Sequence, residues 1–468
     1  MAIQLKRAGF SNFTIYEKAE EVGGTWRDNT YPGAACDIPS HLYCFSFEPS
    51  NYFSRRYAEQ PEILNYFRHC ARKYDLYRHI RFRTEISAAR FDGKSGVWRI
   101  TTTAGDNIEC HVLISGTGQL SRPHIPNLLG LESFAGRRFH TARWDHSRDL
   151  TGRDVAVIGT GSSAVQAIPR IASVVRSVAV FQRSPAWVVP KSDHVYRTAE
   201  KWMLRNFPLW GFIRRSMIYI GLEKRFLALR EGSWAASLVK RKMEWALYRA
   251  VTDPVLREKL LPAYPVGCKR IQLASDYFHA LCRPNVTVVT DPIERIVPEG
   301  VLAGGTLHRA DTLIFATGFE ATRFLAPMNI RNSDNTALKD VWHNGAEAHF
   351  GITVAGFPNF FMLYGPNTNL GHNSVIFMIE CQVAYVLDCL RCLIDRDLLW
   401  LDIRPEAMAS FNTALQSKLV RSVWAGGCSN WYKTADGKVT NNWPGTTLSY
   451  WRRTRKPDFA HFRLQARA

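Results

Sequence analysis

Three features of the sequence predict an α/β fold. An apolar strand, a glycine turn and a helix follow one another in DVAVIGTGSSAVQAIPRIA, which starts at Asp154. Two further apolar strands, HVLISGTG and DTLIFATG, each run into Thr-Gly, at Gly118 and Gly318. The stretch 195–262 has a mostly helical pattern. Together these features predict two Rossmann-like dinucleotide-binding domains with a helical insertion.

The two Thr-Gly strands predict where the chain leaves its first domain and where it returns. We place the first domain at 1–120 and 321–468, and a second domain that carries the insertion at 121–320. A short helix closed by Gly9 and a strand at 13–16 begin the first part. A helix at 61–78 and a long apolar helix at 375–394 are also predicted.

Composition narrows the class of protein. The 468 residues are 46% hydrophobic and 22% charged, which is ordinary for a globular protein. We expect neither a membrane-spanning helix nor a signal peptide, because the apolar runs are too short. Ten cysteines follow no regular framework, so we expect reduced thiols and a cytoplasmic location. No ligand spacing supports a metal site.

The net charge of +19 raises the question of an anionic partner. Neither a zinc finger nor a basic-region heptad is present, so we expect no nucleic-acid binding. Much of the charge lies between Arg214 and Lys242, where it alternates with Trp, Leu and Ile. We interpret this stretch as amphipathic helices of the insertion, and the alternative is peripheral contact with a membrane surface.

The clearest binding motif follows the strand that starts at Asp154. Its pattern G-x-G-x-x-A is specific only between a strand and a helix, and both are predicted here. The glycines allow a tight turn and a close approach of a pyrophosphate to the helix N-terminus. The next strand ends in arginine instead of an acid, which favours a 2′-phosphate and therefore NADPH over NADH. The predicted contacts are Gly159, Thr160, Gly161, Ser162, Ser163, Arg183 and Ser184.

Glu17 ends the predicted strand at 13–16, where a βαβ unit places the acid that holds an adenosine ribose. Such an acid follows its glycine motif by about 20 residues. Counting back about 20 residues from Glu17 places the glycine motif before residue 1, so we expect the first strand and its glycine turn to be absent from this sequence.

The loop from Gly23 to Asp37 suits packing of its backbone and of Trp26 against a flat ring. The alternative is an ordinary loop with a buried tryptophan.

Residues 134–145, FAGRRFHTARWD, place His140 and Trp144 four residues apart, on one face if helical. A single pair of this kind is more often a packing contact than a catalytic one. However, the spacing F-x-G-x-x-x-H-x-x-x-W-D resembles the fingerprint of the flavin-dependent Baeyer–Villiger monooxygenases. GGTW at 23–26 with YPGAACD at 31–37 resembles a second signature of that family, and CKR at 268–270 resembles its active-site segment. The resemblance extends over nearly the whole chain.

The resemblance implies FAD in the first domain and NADPH in the second. The reduced flavin would add dioxygen, and the peroxyflavin would attack a small-molecule ketone to give an ester or a lactone. Arg270 would stabilise the developing negative charge, Asp37 would orient Arg270, and Lys269 would hold the 2′-phosphate. His140 and Trp144, on an interdomain linker, would serve domain movement. The other cofactor contacts that it implies are Glu17, Gly24, Thr25, Trp26, Tyr43, Ile86, Gly318 and Asn367.

Several alternatives stay open at this point. An N- or S-oxygenating flavin monooxygenase shares the domain plan and differs in its product. A truncated, inactive homologue is expected if the missing strand leaves its neighbours unpaired. A disulfide reductase is disfavoured, because no redox pair follows the first strand and Cys389 and Cys392 lie in an apolar helical pattern. A serine hydrolase is disfavoured because no G-x-S-x-G elbow occurs. The particular substrate and the oligomeric state are not predicted.

Overall fold

The computed structural model describes residues 1–50, 52–229 and 232–467. Outside this description are residue 51 in the first predicted domain, residues 230–231 in the predicted insertion, and residue 468. In the described residues the strands are β1 (Ile15–Tyr16), β2 (Ile80–Arg81), β3 (Ile86–Asp92), β4 (Val97–Thr102), β5 (Asn107–Cys110), β6 (Leu113–Ser115), β7 (Arg137–His140), β8 (Asp154–Ile158), β9 (Ser177–Phe181), β10 (Val188–Val189), β11 (Gln272–Leu273), β12 (Val286–Val289), β13 (Ile293–Val297), β14 (Gly300–Ala303), β15 (Thr306–Arg309), β16 (Thr312–Phe315), β17 (Asn329–Arg331), β18 (Phe360–Met362), β19 (Leu398–Ile403) and β20 (Phe462–Ala466).

Helices connect and cover these strands. Within the described ranges the α-helices are α1 (Ala2–Arg7), α2 (Thr25–Asp28), α3 (Gln60–Lys73), α4 (Ser162–Ile171), α5 (Thr198–Asn206), α6 (Pro208–Glu223), α7 (Trp234–Ala250), α8 (Pro254–Leu260), α9 (Tyr277–Leu281), α10 (Leu338–Val341), α11 (Val375–Asp395), α12 (Pro405–Leu419) and α13 (Thr447–Thr454). Short 3-10 helices lie at Tyr77–His79, Leu131–Ser133, Thr141–Arg143, Lys224–Leu229 and Phe459–His461. No helix in the described ranges is both long and apolar enough to cross a membrane.

The middle of the chain forms a five-stranded parallel sheet with the order β12–β9–β8–β16–β7. Helix α4 makes the crossover between the parallel neighbours β8 and β9. Val155, Ala156 and Val157 of β8 are buried. Val155 and Val157 pack against helices such as α4, whereas Ala156 packs on the side of the sheet covered by β13 and β14. Because the strands are parallel, the carboxyl ends of β7, β8, β9 and β16 lie at one edge of the sheet.

The two ends of the chain share their sheets. β6 pairs in parallel with β18, and β3 pairs in parallel with β17. Both pairings join residues before position 120 to residues after position 320. In the described part of the chain, β1 pairs in parallel with β2 and forms a separate two-stranded sheet. The α/β class is confirmed, and the domain boundaries stay a prediction.

Most predicted elements are present, with shorter ends. The predicted helix 61–78 stops at Lys73, because Asp75 takes a left-handed φ of +49° that a helix cannot continue. The predicted strand at 13–16 is reduced to β1. The long apolar helix is α11, whose Val383 and Val386 pack with Leu401 of β19 in one core. The predicted insertion contains α5 to α8 in its described residues.

Candidate active site

A glycine turn lies at the carboxyl edge of the five-stranded sheet. Gly159 follows β8 with a φ of +109°, and a Cβ atom there would lie 2.5 Å from the carbonyl oxygen of Ala316. Gly161 precedes Ser162, the first residue of α4, and Ala164 is fully buried. A side chain at the first glycine would therefore displace the backbone after β16. The turn presents the N-terminus of α4 at this edge, which suits a pyrophosphate.

Two cationic residues meet beside this turn. Lys269 Nζ donates a hydrogen bond to Ser184 Oγ at 2.5 Å, and the hydroxyl of Thr160 donates to the Ser184 carbonyl at 2.8 Å. Burial and the positive charge of Arg183 lower the pKa of Lys269. Arg183 itself is exposed. The repulsion between the two cations would be relieved by a doubly charged anion, so the site fits the 2′-phosphate of NADPH.

The residue after Lys269 forms an ion pair with the loop of the second signature, at 23–37. Arg270 Nη2 lies 3.2 Å from Asp37 Oδ2. Burial opposes the charged form of Arg270, but the Asp37 carboxylate, together with the nearby Tyr432 and Tyr364, raises the pKa of the guanidinium overall. Asp37 Oδ1 is buried and has no hydrogen-bond partner in the described residues. The pair therefore provides a permanent, oriented positive charge in a confined site.

Helix α4 holds the loop that carries Asp37. Gln166 of α4 accepts a hydrogen bond from the Tyr31 hydroxyl at 2.9 Å and donates to the Ala35 carbonyl at 3.0 Å. Gly33 has a φ of +82°, and a Cβ there would lie 2.6 Å from the Gln166 carbonyl oxygen. The two predicted nucleotide-binding regions thus meet at Gln166. Gln166 was not among the predicted site residues, although its polar side chain within the apolar run AVQAI is a local signal.

The indole of Trp26 has a fixed orientation. Its Nε1 donates to the Tyr43 hydroxyl at 3.0 Å, and the two rings meet edge to face with 5.7 Å between their centroids. The side-chain amide of Gln60 donates to the Trp26 carbonyl. Gly24, with a φ of +50°, precedes Thr25 at the start of α2. This part of the loop therefore presents an aromatic side chain that is half-buried and positioned in advance.

Glu17 lies at the end of β1, as predicted, but part of its carboxylate is engaged. Oε1 accepts a hydrogen bond from the Ala19 backbone at 2.9 Å and pairs with Arg27 at 3.2 Å. Both contacts reach the same oxygen. A ribose hydroxyl would therefore be accepted by Oε2, and this role stays a prediction.

The remaining predicted contacts lie on three other segments. Ile86 is half-buried at the start of β3. Gly318, with a φ of +82°, follows β16, and its carbonyl accepts from the His124 backbone at 2.8 Å. Asn367 donates to the Val439 carbonyl at 2.9 Å, while its Oδ1 is buried without a partner in the described residues. The side-chain nitrogen of Asn367 is therefore already hydrogen-bonded, and only its Oδ1 is available to a ligand.

His140 and Trp144 would share a face only if residues 140–144 were helical, and the structure shows a strand and a turn instead. His140 ends strand β7, beside Phe315 of β16, and a 3-10 turn separates it from Trp144. The two residues therefore share no helix face, and His140 lies in a sheet instead of a linker. Burial lowers the pKa of His140 to about 4, and its Nδ1 accepts from the Ala142 backbone at 3.1 Å, so the ring is neutral near pH 7. Trp144 packs against Tyr31 where the Asp37 loop meets α4.

Cys268 forms a disulfide with Cys428, which differs from the expectation of ten reduced thiols. The two residues are 160 positions apart, so no local cysteine spacing could reveal the pair. Cys268 directly precedes Lys269 and Arg270. The bond therefore anchors the segment with both cations to the loop around Cys428. The buried pair Cys389 and Cys392 stays reduced, as expected.

Replacing Cys428 with serine is expected to lower the free energy of unfolding under oxidising conditions by about 2–4 kcal/mol, because the closed loop is long. Denaturant unfolding of the variant and the original chain, each with and without a reductant, measures the effect. The two proteins should differ without reductant and coincide with it. Replacing the buried Cys70 with serine is the control, and its effect should not depend on the reductant.

The comparisons with known proteins agree with this site. Residues 10–215 match the family described as flavin-binding monooxygenase-like, which gives the class of protein. A Baeyer–Villiger monooxygenase of Pseudomonas aeruginosa is 41% identical over 99% of this chain and 89% of its own length. A Baeyer–Villiger monooxygenase of Streptomyces coelicolor is also 41% identical, over 99% of this chain and 90% of its own. The chain belongs to the Baeyer–Villiger monooxygenase family.

Solved structures support the same assignment. Cyclohexanone monooxygenase from Rhodococcus sp. Phi1 with bound NADP+ has a TM-score of 0.89 at 26% identity, over 100% of this chain and 97% of its own. An oxidised steroid monooxygenase bound to NADP has a TM-score of 0.88 at 30% identity, again over 100% and 97%. OTEMO in complex with FAD and NADP has a TM-score of 0.88 at 28% identity, over 99% and 96%. The predicted family and the plan of two dinucleotide-binding domains are confirmed.

Proposed function

We propose that this protein is an FAD- and NADPH-dependent monooxygenase that inserts one oxygen atom of O2 beside the carbonyl of a small-molecule ketone, giving an ester or a lactone. The observation that carries the proposal is the segment 269–270. Its first residue lies 2.5 Å from Ser184 in the candidate 2′-phosphate site, and its second lies 3.2 Å from Asp37 in the candidate oxygenation site. The relatives named Baeyer–Villiger monooxygenase support this assignment.

The residues present fit both cofactors. The turn at Gly159, with no room for a Cβ, and the pair of Arg183 and Lys269 fit the pyrophosphate and 2′-phosphate of NADPH. The residues proposed to hold FAD are Glu17, Gly24, Thr25, Trp26, Tyr43, Ile86, Gly318 and Asn367, and the orphaned Oδ1 of Asn367 supports a polar ligand there. When bound, FAD reduced by NADPH supplies the activated oxygen.

Arg270 is proposed to stabilise the negative charge that develops on the substrate carbonyl oxygen during oxygen transfer. A guanidinium suits this role because it keeps its proton, and the raised pKa beside Asp37 strengthens that property. Asp37 holds the guanidinium at a fixed position, so little reorganisation is required when the charge forms. Trp144 packs on the contact between the Asp37 loop and α4, and Trp144 and His140 are proposed to serve movement of the two domains relative to each other.

The test is a product analysis with purified protein, FAD and NADPH. Cyclohexanone and a thioether are offered separately, and the products are identified by mass spectrometry. We expect lactone from the ketone with one NADPH consumed for each product. Sulfoxide from the thioether with no lactone would favour the S-oxygenating alternative. A protein that neither retains FAD nor binds it from solution, measured by flavin absorbance, would contradict the proposal. A cytoplasmic location is part of the same proposal.

A further inference from the structure

Helix α6 exposes apolar side chains on its outer face. Leu209, Phe212 and Met217 are 71%, 67% and 66% exposed, and the exposed positions 209, 213, 217 and 220 follow the helical repeat. Trp202 of the preceding helix stacks edge to face on Phe207, with 5.5 Å between ring centroids. We call this surface the apolar stripe, and it consists of Trp202, Phe207, Leu209, Trp210, Phe212, Ile213, Met217 and Ile220.

Polar side chains of α6 attach it to the rest of the protein. Arg215 donates to the His41 carbonyl at 2.8 Å. Glu223 accepts from the Thr447 backbone at 2.6 Å, and the Tyr219 hydroxyl bonds the Thr447 hydroxyl at 2.8 Å. Leu222 is the one buried residue among those described in α6, and the helix exposes most of its large apolar side chains, unlike a helix that buries an apolar face in a protein core. An exposed apolar surface of this extent marks an interaction site.

The surroundings of the apolar stripe are basic. Residues 195–250 contain twelve Lys and Arg but four Asp and Glu. Lys224 and Arg225 are exposed directly after α6, and Arg205 is exposed at the end of α5. A second copy of the chain would oppose the same positive charge, which disfavours self-association. Anionic lipid headgroups match the charge, and the bilayer interface accepts Trp, Phe and Leu side chains.

We propose that the apolar stripe docks on the surface of an anionic lipid bilayer, with Leu209, Phe212 and Met217 inserted at the headgroup boundary. The basic residues around the stripe would then contact the headgroups. Because α6 is attached through Arg215 to His41, four residues after Asp37, docking would place the oxygenation site close to the membrane. A lipophilic ketone could then reach the site from the bilayer. This last step rests on the proposed function, whereas the docking itself does not.

The test measures binding of the full chain to vesicles, without turnover. Vesicles of phosphatidylcholine with 30% phosphatidylglycerol are compared with pure phosphatidylcholine by co-sedimentation and by the tryptophan emission shift. We expect binding to the anionic vesicles, and the triple variant Leu209→Ser/Phe212→Ser/Met217→Ser should bind about tenfold or more weakly. The matched control is Leu129→Ser/Ile394→Ser/Val420→Ser, three comparably exposed apolar residues outside the stripe, and it should bind as the original chain does.

Three outcomes would overturn the proposal. The first is absence of binding to the anionic vesicles at low salt. The second is equal loss of binding in the stripe variant and the control variant, with circular dichroism showing both folded. The third is a dimer of the original chain and of the control variant in solution, measured by light scattering, together with a monomeric stripe variant. A second copy of the chain would then cover the stripe. Loss of oxygenation with vesicle binding intact would contradict the proposed function and leave the docking proposal standing.

Discussion

Replacing Arg270 with alanine is expected to lower ketone oxygenation by roughly 10²- to 10³-fold while flavin reduction by NADPH continues. The guanidinium is the fixed positive charge beside Asp37, and alanine has neither a charge nor a hydrogen-bond donor to stabilise the negative charge that forms on the substrate oxygen. Stopped-flow absorbance of the anaerobic enzyme follows flavin reduction, and product analysis after addition of oxygen follows ketone conversion. NADPH consumption without product is the expected signature.

Two further variants make this result specific. Arg270→Lys keeps a positive charge but loses the planar fork, so we expect activity between those of the original chain and the alanine variant. Arg323→Ala removes an exposed arginine that pairs with Glu320 and should leave both steps unchanged. If Arg270→Ala oxygenates cyclohexanone at the original rate, the proposed role of the guanidinium is wrong. If it loses flavin reduction instead, Arg270 serves cofactor binding or folding.

The nucleotide turn of the second domain could be predicted because its information is local. A buried strand, two glycines and a helix follow one another within 18 residues, from Asp154 to Ile171, and each part restricts the backbone of the next. The left-handed φ of Gly159 and the burial of Ala164 agree with the roles that the pattern assigns to those positions. The long helix α11 was predicted for the same reason, since its apolar pattern is continuous.

The contacts that assemble the site join residues far apart in the chain, so no local pattern predicts them. Gln166 binds the loop at Tyr31 across 135 positions, and the Cys268–Cys428 bond joins residues 160 apart. The four-residue spacing of His140 and Trp144 left a shared helix face open, but pairing of β7 with β16 determines the conformation of His140. Local propensity is a weak guide where a neighbouring strand supplies the hydrogen bonds. The family resemblance supplied the Arg270–Asp37 pair, which residue spacing alone does not predict.

Replacing both Arg183 and Lys269 with alanine is expected to raise the KM for NADPH by roughly 10- to 100-fold, as loss of hydrogen bonds to a charged group predicts. The KM for NADH should change little, because NADH carries no 2′-phosphate for these cations to contact. Steady-state oxidation of each coenzyme in the presence of cyclohexanone measures the two constants. The preference for NADPH over NADH, measured as the ratio of the two KM values, should therefore fall by about the factor by which the KM for NADPH rises.

The single variants separate the two cations. Lys269 is held by Ser184 at 2.5 Å, and burial and Arg183 lower its pKa. Removing Arg183 should therefore raise the pKa of Lys269 and relieve the repulsion between the two cations, which partly offsets the loss of Arg183. The effect of the double variant should consequently exceed the sum of the single effects in free energy. Arg176→Ala, an exposed arginine that pairs with Asp154, is the control and should alter neither constant. An equal rise of both KM values in the double variant would show that these residues support the fold of the site and do not recognise the 2′-phosphate.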